Sequence, residues 1–338
     1  MKKIIKLISV FVLLLAVSNV FAGGGKRTGT AGAAELMIPV GPRGIAMGES
    51  NLVTATGVEA LFWNPAGVSH MQNNADVIFS HMSYIADIGV EYGAFAANFE
   101  GFGAIALSIK SLSIGDIPVT TTTNPDGTGE NFSPTYITAG LSYSRMLTDA
   151  ISVGLTGNFV SERMADVSAT GFAFDIGVIY QNLADINGLA IGVVVKNLGS
   201  DMKFEGSGMY QQTVVGGVSR LTKIDAAPFE MPFYFQLAAG YKPVIDEMNS
   251  LEFTGIYQNN NFSGDESKFG AEYGYNNLFF VRAGYQFAMQ ETDNYIYGFT
   301  AGAGINYEIE GFGIKVDYAY RDVEFFDGNH VFALTLGF

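Results

Sequence analysis

From Ala75 to the last residue, bulky apolar side chains alternate one by one with small or polar ones, most strictly between Leu278 and Phe338. Tyr295, Tyr297, Phe299, Ala301, Ala303, Ile305 and Tyr307 fall on one side of a segment whose other side carries Gly298, Thr300, Gly302, Gly304, Asn306 and Glu308. The next segment sets Phe312, Ile314, Val316, Tyr318 and Tyr320 against Lys315, Asp317 and Arg321, and the last closes on Phe332, Leu334, Leu336 and Phe338. A period of two is the signature of a strand with two unlike faces. Applied to the whole chain, it predicts about 14 strands, a common size for membrane barrels. Their spans are 75–86, 89–99, 102–110, 135–147, 150–161, 168–182, 188–198, 232–242, 250–258, 267–275, 278–287, 295–309, 312–321 and 330–338. Apolar faces read clearly in Ile151, Val153, Leu155 and Phe159, in Phe172, Phe174, Ile176, Val178 and Tyr180, and in Phe233, Phe235, Leu237 and Tyr241. The second segment is ambiguous.

A soluble antiparallel sheet alternates too, so length and connections decide between a sandwich and a membrane barrel. Segments of about ten residues, tilted, span a bilayer core. The connections alternate in length. Short ones fall at Glu100-Gly101, Thr148-Asp149, Leu183 to Asn187, Pro243 to Asn249, Asn276-Asn277 and Glu310-Gly311. Longer ones lie between them, at Ser111 to Pro134, Glu162 to Val167, Gly199 to Met231, Asn259 to Glu266, Ala288 to Asn294 and Asp322 to Asn329; only Asp87-Ile88 breaks the series. Short periplasmic turns and longer outer loops have this rhythm. The expectation is an all-β fold, a transmembrane antiparallel β-barrel in the bacterial outer membrane, with both termini periplasmic and Phe338 as its C-terminal signal.

Before Ala75 the alternation is absent. Met1-Lys2-Lys3, the apolar run Leu7 to Val17 and Val20-Phe21-Ala22 make residues 1–22 a secretory signal peptide. Residues 23–74 are expected to form an N-terminal plug with a short helix, opened by a capping box at Thr56-Gly57-Val58-Glu59 and interrupted by Pro65. Residues 75–338 are then the barrel. A formal net charge of -15 argues against nucleic acid as a partner, which demands a basic footprint. With no cysteine there are neither disulfides nor thiolate metal sites. Phe and Tyr outnumber Trp by 27 and 17 to 1, as suits rings at a membrane interface.

Catalytic chemistry finds little support, and no enzyme is expected. His70, His81 and His330 have no nucleophile signature beside them, and Lys26-Arg27 is not the Lys-Ser or Lys-Thr of a phosphate loop. Asn124-Pro125-Asp126-Gly127-Thr128-Gly129-Glu130 offers oxygen ligands for calcium, but the spacing is not that of an EF-hand, and a solvated turn accounts for it. No metal or cofactor is expected. Inward charges at Asp175, Lys196, Glu252, Glu272, Arg282, Lys315 and Asp317 either line a polar channel, bind the plug or pair with one another. A ring of about 14 strands is too wide for side chains alone to fill, which favours a plugged lumen.

Arg43-Gly44-Ile45-Ala46-Met47-Gly48, followed by Trp63-Asn64-Pro65-Ala66 at the end of Ala60 to Gly67, resembles the N-terminal signature of FadL-like outer-membrane proteins, particularly the PorV/PorQ branch. The segment before Ala60 departs from it, reading Thr56-Gly57-Val58-Glu59 where relatives carry an acidic pair. The resemblance implies a 14-stranded barrel closed by an N-terminal hatch, with Arg43, Gly44, Met47, Gly48, Trp63, Asn64, Pro65 and Ala66 as its motif. It also implies one of two roles. A PorV-like protein binds secreted cargo or translocon proteins in a type IX-like pathway through its long outer loops. A FadL-like protein passes long-chain fatty acids or other hydrophobic small molecules, for which Met202, Phe204, Met209, Tyr210, Phe229, Met231 and Phe233 offer apolar surface. A structural barrel with neither activity remains a third reading. Outer-membrane lipid is a partner in all three.

Overall fold

The computed structural model describes residues 27–290, 292, 295–309 and 311–338. The signal-peptide expectation, residues 1–22, lies outside them. Fourteen long strands form one closed antiparallel ring. They are β1 (Ala75–Ser83), β2 (Gly89–Phe99), β3 (Gly103–Ser113), β4 (Thr135–Met146), β5 (Ile151–Met164), β6 (Val167–Tyr180) and β7 (Leu189–Gly199), followed by β8 (Tyr234–Tyr241), β9 (Asn249–Asn260), β10 (Glu266–Tyr275), β11 (Phe279–Ala288), β12 (Tyr297–Ile309), β13 (Phe312–Val323) and β14 (Asn329–Gly337). Each pairs with its sequence neighbours. β14 returns to β1 in continuous register from Asp76 opposite Gly337 to Ser83 opposite His330. Closure satisfies every edge, the condition for sheet in hydrocarbon.

The alternation sorts the two faces as the pattern requires. Phe172, Phe174, Ile176 and Val178 stand exposed on the outside of β6, while Ala169, Ala173 and Asp175 are buried inside. The second segment resolves the same way, with Phe95 and Phe99 outside and Val90, Tyr92, Ala94 and Ala96 inside. β12 departs from the expectation at its start. Between Tyr297 and Thr300 the register to β13 shifts, a bulge that turns the face over. Tyr297 therefore points inward, its hydroxyl 2.8 Å from that of Tyr84 and its ring under the Arg321 guanidinium at 4.2 Å. Tyr295 also reaches an inward residue, Gln286, at 3.1 Å.

Residues 27–74 run inside the ring as short helices, Ala34–Met37, Pro42–Ala46, Gly57–Glu59, Ala60–Trp63 and Pro65–His70. Their apolar side chains Ile45, Ala46, Val58, Leu61 and Trp63 share a core with Ile78 and Met82 of β1, Val90 and Ala94 of β2, and Val331 of β14. The expected capping box does not form. Thr56 makes no side-chain cap, and the Glu59 carboxylate, which would supply the reciprocal bond, is drawn away to Lys315 and Arg43. The cap that does form is Asn64, whose side chain accepts from the Ala66 N–H at 3.1 Å at the start of Pro65–His70.

The two ends of the described residues, Arg27 and Phe338, lie at opposite ends of the barrel. Arg27 pairs with Glu230 and sits 4.4 Å over the Phe262 ring, both in long connections. Phe338 instead exchanges backbone bonds with Ala75 at the short-turn end. A segment of this length crosses the lumen before β1 begins, and that is the physical reason. The longest connection lies between β7 and β8. It contains a separate hairpin, Tyr210–Val215 and Val218–Lys223, and a bridge between Met202 and Phe229.

Candidate functional site

The motif residues are brought together, and they seat the inner segment on the wall. Gly44 has no side chain because the Trp63 ring occupies that space, so the two halves of the motif touch. Met47 and Gly48 lie on Gly270 and Gly284, Ala46 on Gly302, Asn64 on Gly177, and Pro65 with Ala66 on Gly154; a Cβ at any of these five wall glycines would overlap the segment. Gly48 itself requires glycine twice over. Its φ is +63°, and a Cβ would come within 2.7 Å of the Phe269 carbonyl oxygen. Its N–H donates to Thr300 Oγ1 at 3.0 Å.

Charge fixes the same seat. Arg43 Nε donates to Glu272 at 2.9 Å and Nη2 to Glu252 at 3.1 Å, while Nη1 donates to the Thr54 carbonyl at 3.2 Å and lies 3.7 Å from Glu59. Arg282 continues the array to Glu272 and Asp317, each at 2.5 Å, and Lys315 joins Glu59 to Asp317. Higher up, Glu49 accepts from Lys268 at 2.8 Å and Arg321 at 2.7 Å. Burial pushes the Glu49 carboxyl up, but Lys268 and Arg321 outweigh it and hold it below the ordinary glutamate value. Glu59 is likewise raised by burial and drawn lower on balance by Lys315 and Arg43. A planar guanidinium against several carboxylates suits Arg43 for this role.

All seven inward charges read from the sequence thus pair with one another or with the inner segment. Asp175 takes the Asn197 N–H at 2.8 Å and the Asn158 amide at 3.1 Å, and Lys196 donates to the Phe62 carbonyl and lies 3.8 Å over its ring. Lys268, Arg321 and Glu49 were not singled out as site residues. Parity exposes Lys268 and Arg321 once their strands are drawn, but nothing in the sequence marks Glu49. A cavity of about 760 Å³ opens at the short-turn end, reaching Arg43, Glu252, Glu272 and Arg282.

The apolar residues proposed for ligand or partner contact separate into two groups. Met202 and Met231 are buried in a cluster with Ala33 and Leu36 of the inner segment, with Phe204 and Phe229 packed against it. Met209 and Tyr210 sit apart at the base of the hairpin, and Phe233 precedes β8 half-buried. Phe338 packs its ring 5.2 Å from Phe312. The 124–130 loop forms ordinary turns, with Gly127 N–H donating to the Asn124 carbonyl at 3.2 Å. Among the described residues no group of three or more acidic, His or Cys side chains is arranged to hold a metal.

The family described as type IX secretion system protein PorV matches residues 22–222. No curated protein matches. Among solved structures, the Pseudomonas putida toluene transporter TodX superposes with a TM-score of 0.55 at 13% identity, over 87% of this chain and 96% of TodX. The Ralstonia pickettii toluene transporter TbuX gives 0.54 at 14%, over 88% and 98%. A Pseudomonas aeruginosa FadL homologue gives 0.52 at 13%, also over 88% and 98%. At such identities the likeness is one of fold. Fold and family together make the protein a non-enzymatic barrel of the bacterial outer membrane. With more than half of its residues under that family's model, the chain belongs to the PorV family of type IX secretion system proteins.

Proposed function

We propose that the protein binds secreted or surface partners through its long-loop rim, as a docking barrel in a type IX-like pathway, with residues 27–74 as a fixed plug. The short-turn end, with Phe338, then faces the periplasm, and the long loops, with Arg27, face outward. One observation carries the reading: the lumen is filled where the inner segment lies on the five wall glycines, while the rim projects a hairpin with Val214 74% and Leu221 68% exposed. Exposed apolar side chains above a sealed lumen suit capture of a protein better than passage of a solute.

In a host with the secretion system, replacing 210–223 by a short Gly-Ser link is expected to release cargo from the cell surface. The barrel should keep its heat-modifiable gel mobility. Cargo that stays attached at wild-type levels overturns the reading.

Passage of hydrophobic molecules is the second reading. The Met202, Met231, Phe204 and Phe229 cluster favours it, lying where a solute would enter, and some fold neighbours are toluene transporters. Proteoliposomes loaded with this protein should take up labelled toluene or fatty acid no faster than empty vesicles. Faster uptake would instead support this second role.

A further inference from the structure

The hairpin between β7 and β8 forms a two-stranded sheet of its own, unconnected to the barrel sheet. Six cross-strand pairs hold it, from Tyr210 opposite Lys223 to Val215 opposite Val218. Gly216 and Gly217, with φ of +62° and +80°, make the two-residue turn. Two consecutive positive φ values define the primed turn whose twist suits a hairpin. In such a hairpin the pair flanking the turn exchanges both backbone bonds, and the pairs alternate from there. Ser219, Leu221 and Lys223 therefore stand in the pairs whose N–H and C=O groups point away from the hairpin. Every residue from Val218 to Lys223 is exposed.

An open edge of this kind is ordinarily blunted by proline, a bulge or a covering element. Val218–Lys223 has neither proline nor bulge. A lone two-stranded hairpin is also marginal in water and gains most from a third strand. Its charge points to what that strand is. Within 210–223 the charged residues are Arg220 and Lys223, both basic, in a chain of net charge -15. Lys223 lies 3.7 Å from Glu205, an exposed contact worth little. A second copy of so acidic a chain is repelled as a whole, whereas a local acidic strand is attracted to Arg220 and Lys223.

We propose that the outer edge of Val218–Lys223 receives an extended acidic segment of a partner protein as a third strand. Backbone bonds from Ser219, Leu221 and Lys223 supply affinity, and the two basic side chains with exposed Leu221 supply selectivity. This rests on the docking reading for the outward placement of the rim and adds how the rim recognises its partner.

The test uses the whole protein in detergent micelles and two fluorescent peptides of about eight residues, one alternating Val with Glu, the other Val with Lys. The acidic peptide is expected to bind at least about tenfold more tightly by anisotropy, the scale of one or two charge-assisted contacts. Leu221→Pro removes one outward N–H and leaves the hairpin's own bonds intact, since proline is tolerated on a sheet edge. It should weaken binding by about tenfold, against a smaller loss for Leu221→Ser, which keeps the N–H. Gln212→Pro, on the opposite edge, should bind as the wild type does.

Equal binding of the two peptides, wild-type binding by Leu221→Pro, or an equal loss with Gln212→Pro overturns the proposal. So does self-association in sedimentation that Leu221→Pro abolishes, because the edge would then serve a second copy. The two readings fail separately. If excising the hairpin frees cargo while no peptide binds, edge pairing fails and docking stands; peptide binding with cargo attachment unaltered is the reverse.

Discussion

Arg43 is the residue on which the lumen's charge balance turns. Its guanidinium serves Glu252, Glu272 and Glu59 at once, and no other cation reaches Glu252 among the described ion pairs. Arg43→Met keeps the length and apolar stem but leaves a buried carboxylate unpaired, which costs about 3–5 kcal/mol in comparable buried pairs. The expected result is a lower urea midpoint in micelles, and Arg43→Lys should recover only part of it because a point charge cannot fork. Acid should act through the same groups. Glu49 and Glu59 are both held below their ordinary value, so their contribution is complete above about pH 4.3 and lost as pH falls through their lowered folded values. The advantage of the wild type over Glu49→Gln in urea midpoint should shrink from pH 7 down to pH 3, and a constant gap would contradict the pairing described. Charged residues on strands were legible because parity assigns their side; Asp175, Lys196, Glu252 and Glu272 needed nothing more. Glu49 was not, since the segment that holds it has no period and its partners are some 219 and 272 positions away.

At the level of elements, β6 and β7 meet at an irregularity. Phe174 faces Leu198 while Ile176 faces Val195, so Lys196 and Asn197 together oppose Asp175. The Asp175 carboxylate takes the Asn197 N–H that the ladder leaves over, and the Asn197 side chain reaches the Pro232 carbonyl at 3.0 Å. Asp175→Ala should orphan that N–H at a cost of about 1–3 kcal/mol, and Asp175→Asn, which keeps an acceptor, should cost less. Hydrogen exchange at Asn197 reads the difference directly: faster in the alanine variant, near wild type in the asparagine one. Alternation revealed where strands run because a lipid-facing row must be apolar throughout. It did not reveal the extra residue at this seam or the one before Thr300, since a bulge moves the period by one without altering composition. The outer hairpin was within reach, for Gly216-Gly217 between Val215 and Val218 is a hairpin signal, but its exposed strands lack a uniform apolar face.

For the whole molecule, strand number and ring closure were the most legible features, and the role of the interior the least. Inward glycines read as small residues; that five of them are seats for the Arg43 to Ala66 motif emerges only when the distant segments are brought together. A barrel packed this way is expected to carry no steady ion current in a planar bilayer, despite the polar cavity of about 760 Å³ at its short-turn end. Stable single-channel steps from the intact protein would show that water crosses past the inner segment. The course of residues 27–74 through the ring also bears on biogenesis. A cord already enclosed along its length cannot be slipped in sideways once the last seam is zipped. Pairing of β14 with β1 must therefore come after residues 27–74 have taken their place, or else the amino end must be pulled through a finished hoop. The simpler sequence is to wrap the wall around a resident thread, which makes the beginning of the polypeptide the mandrel on which the rest is wound.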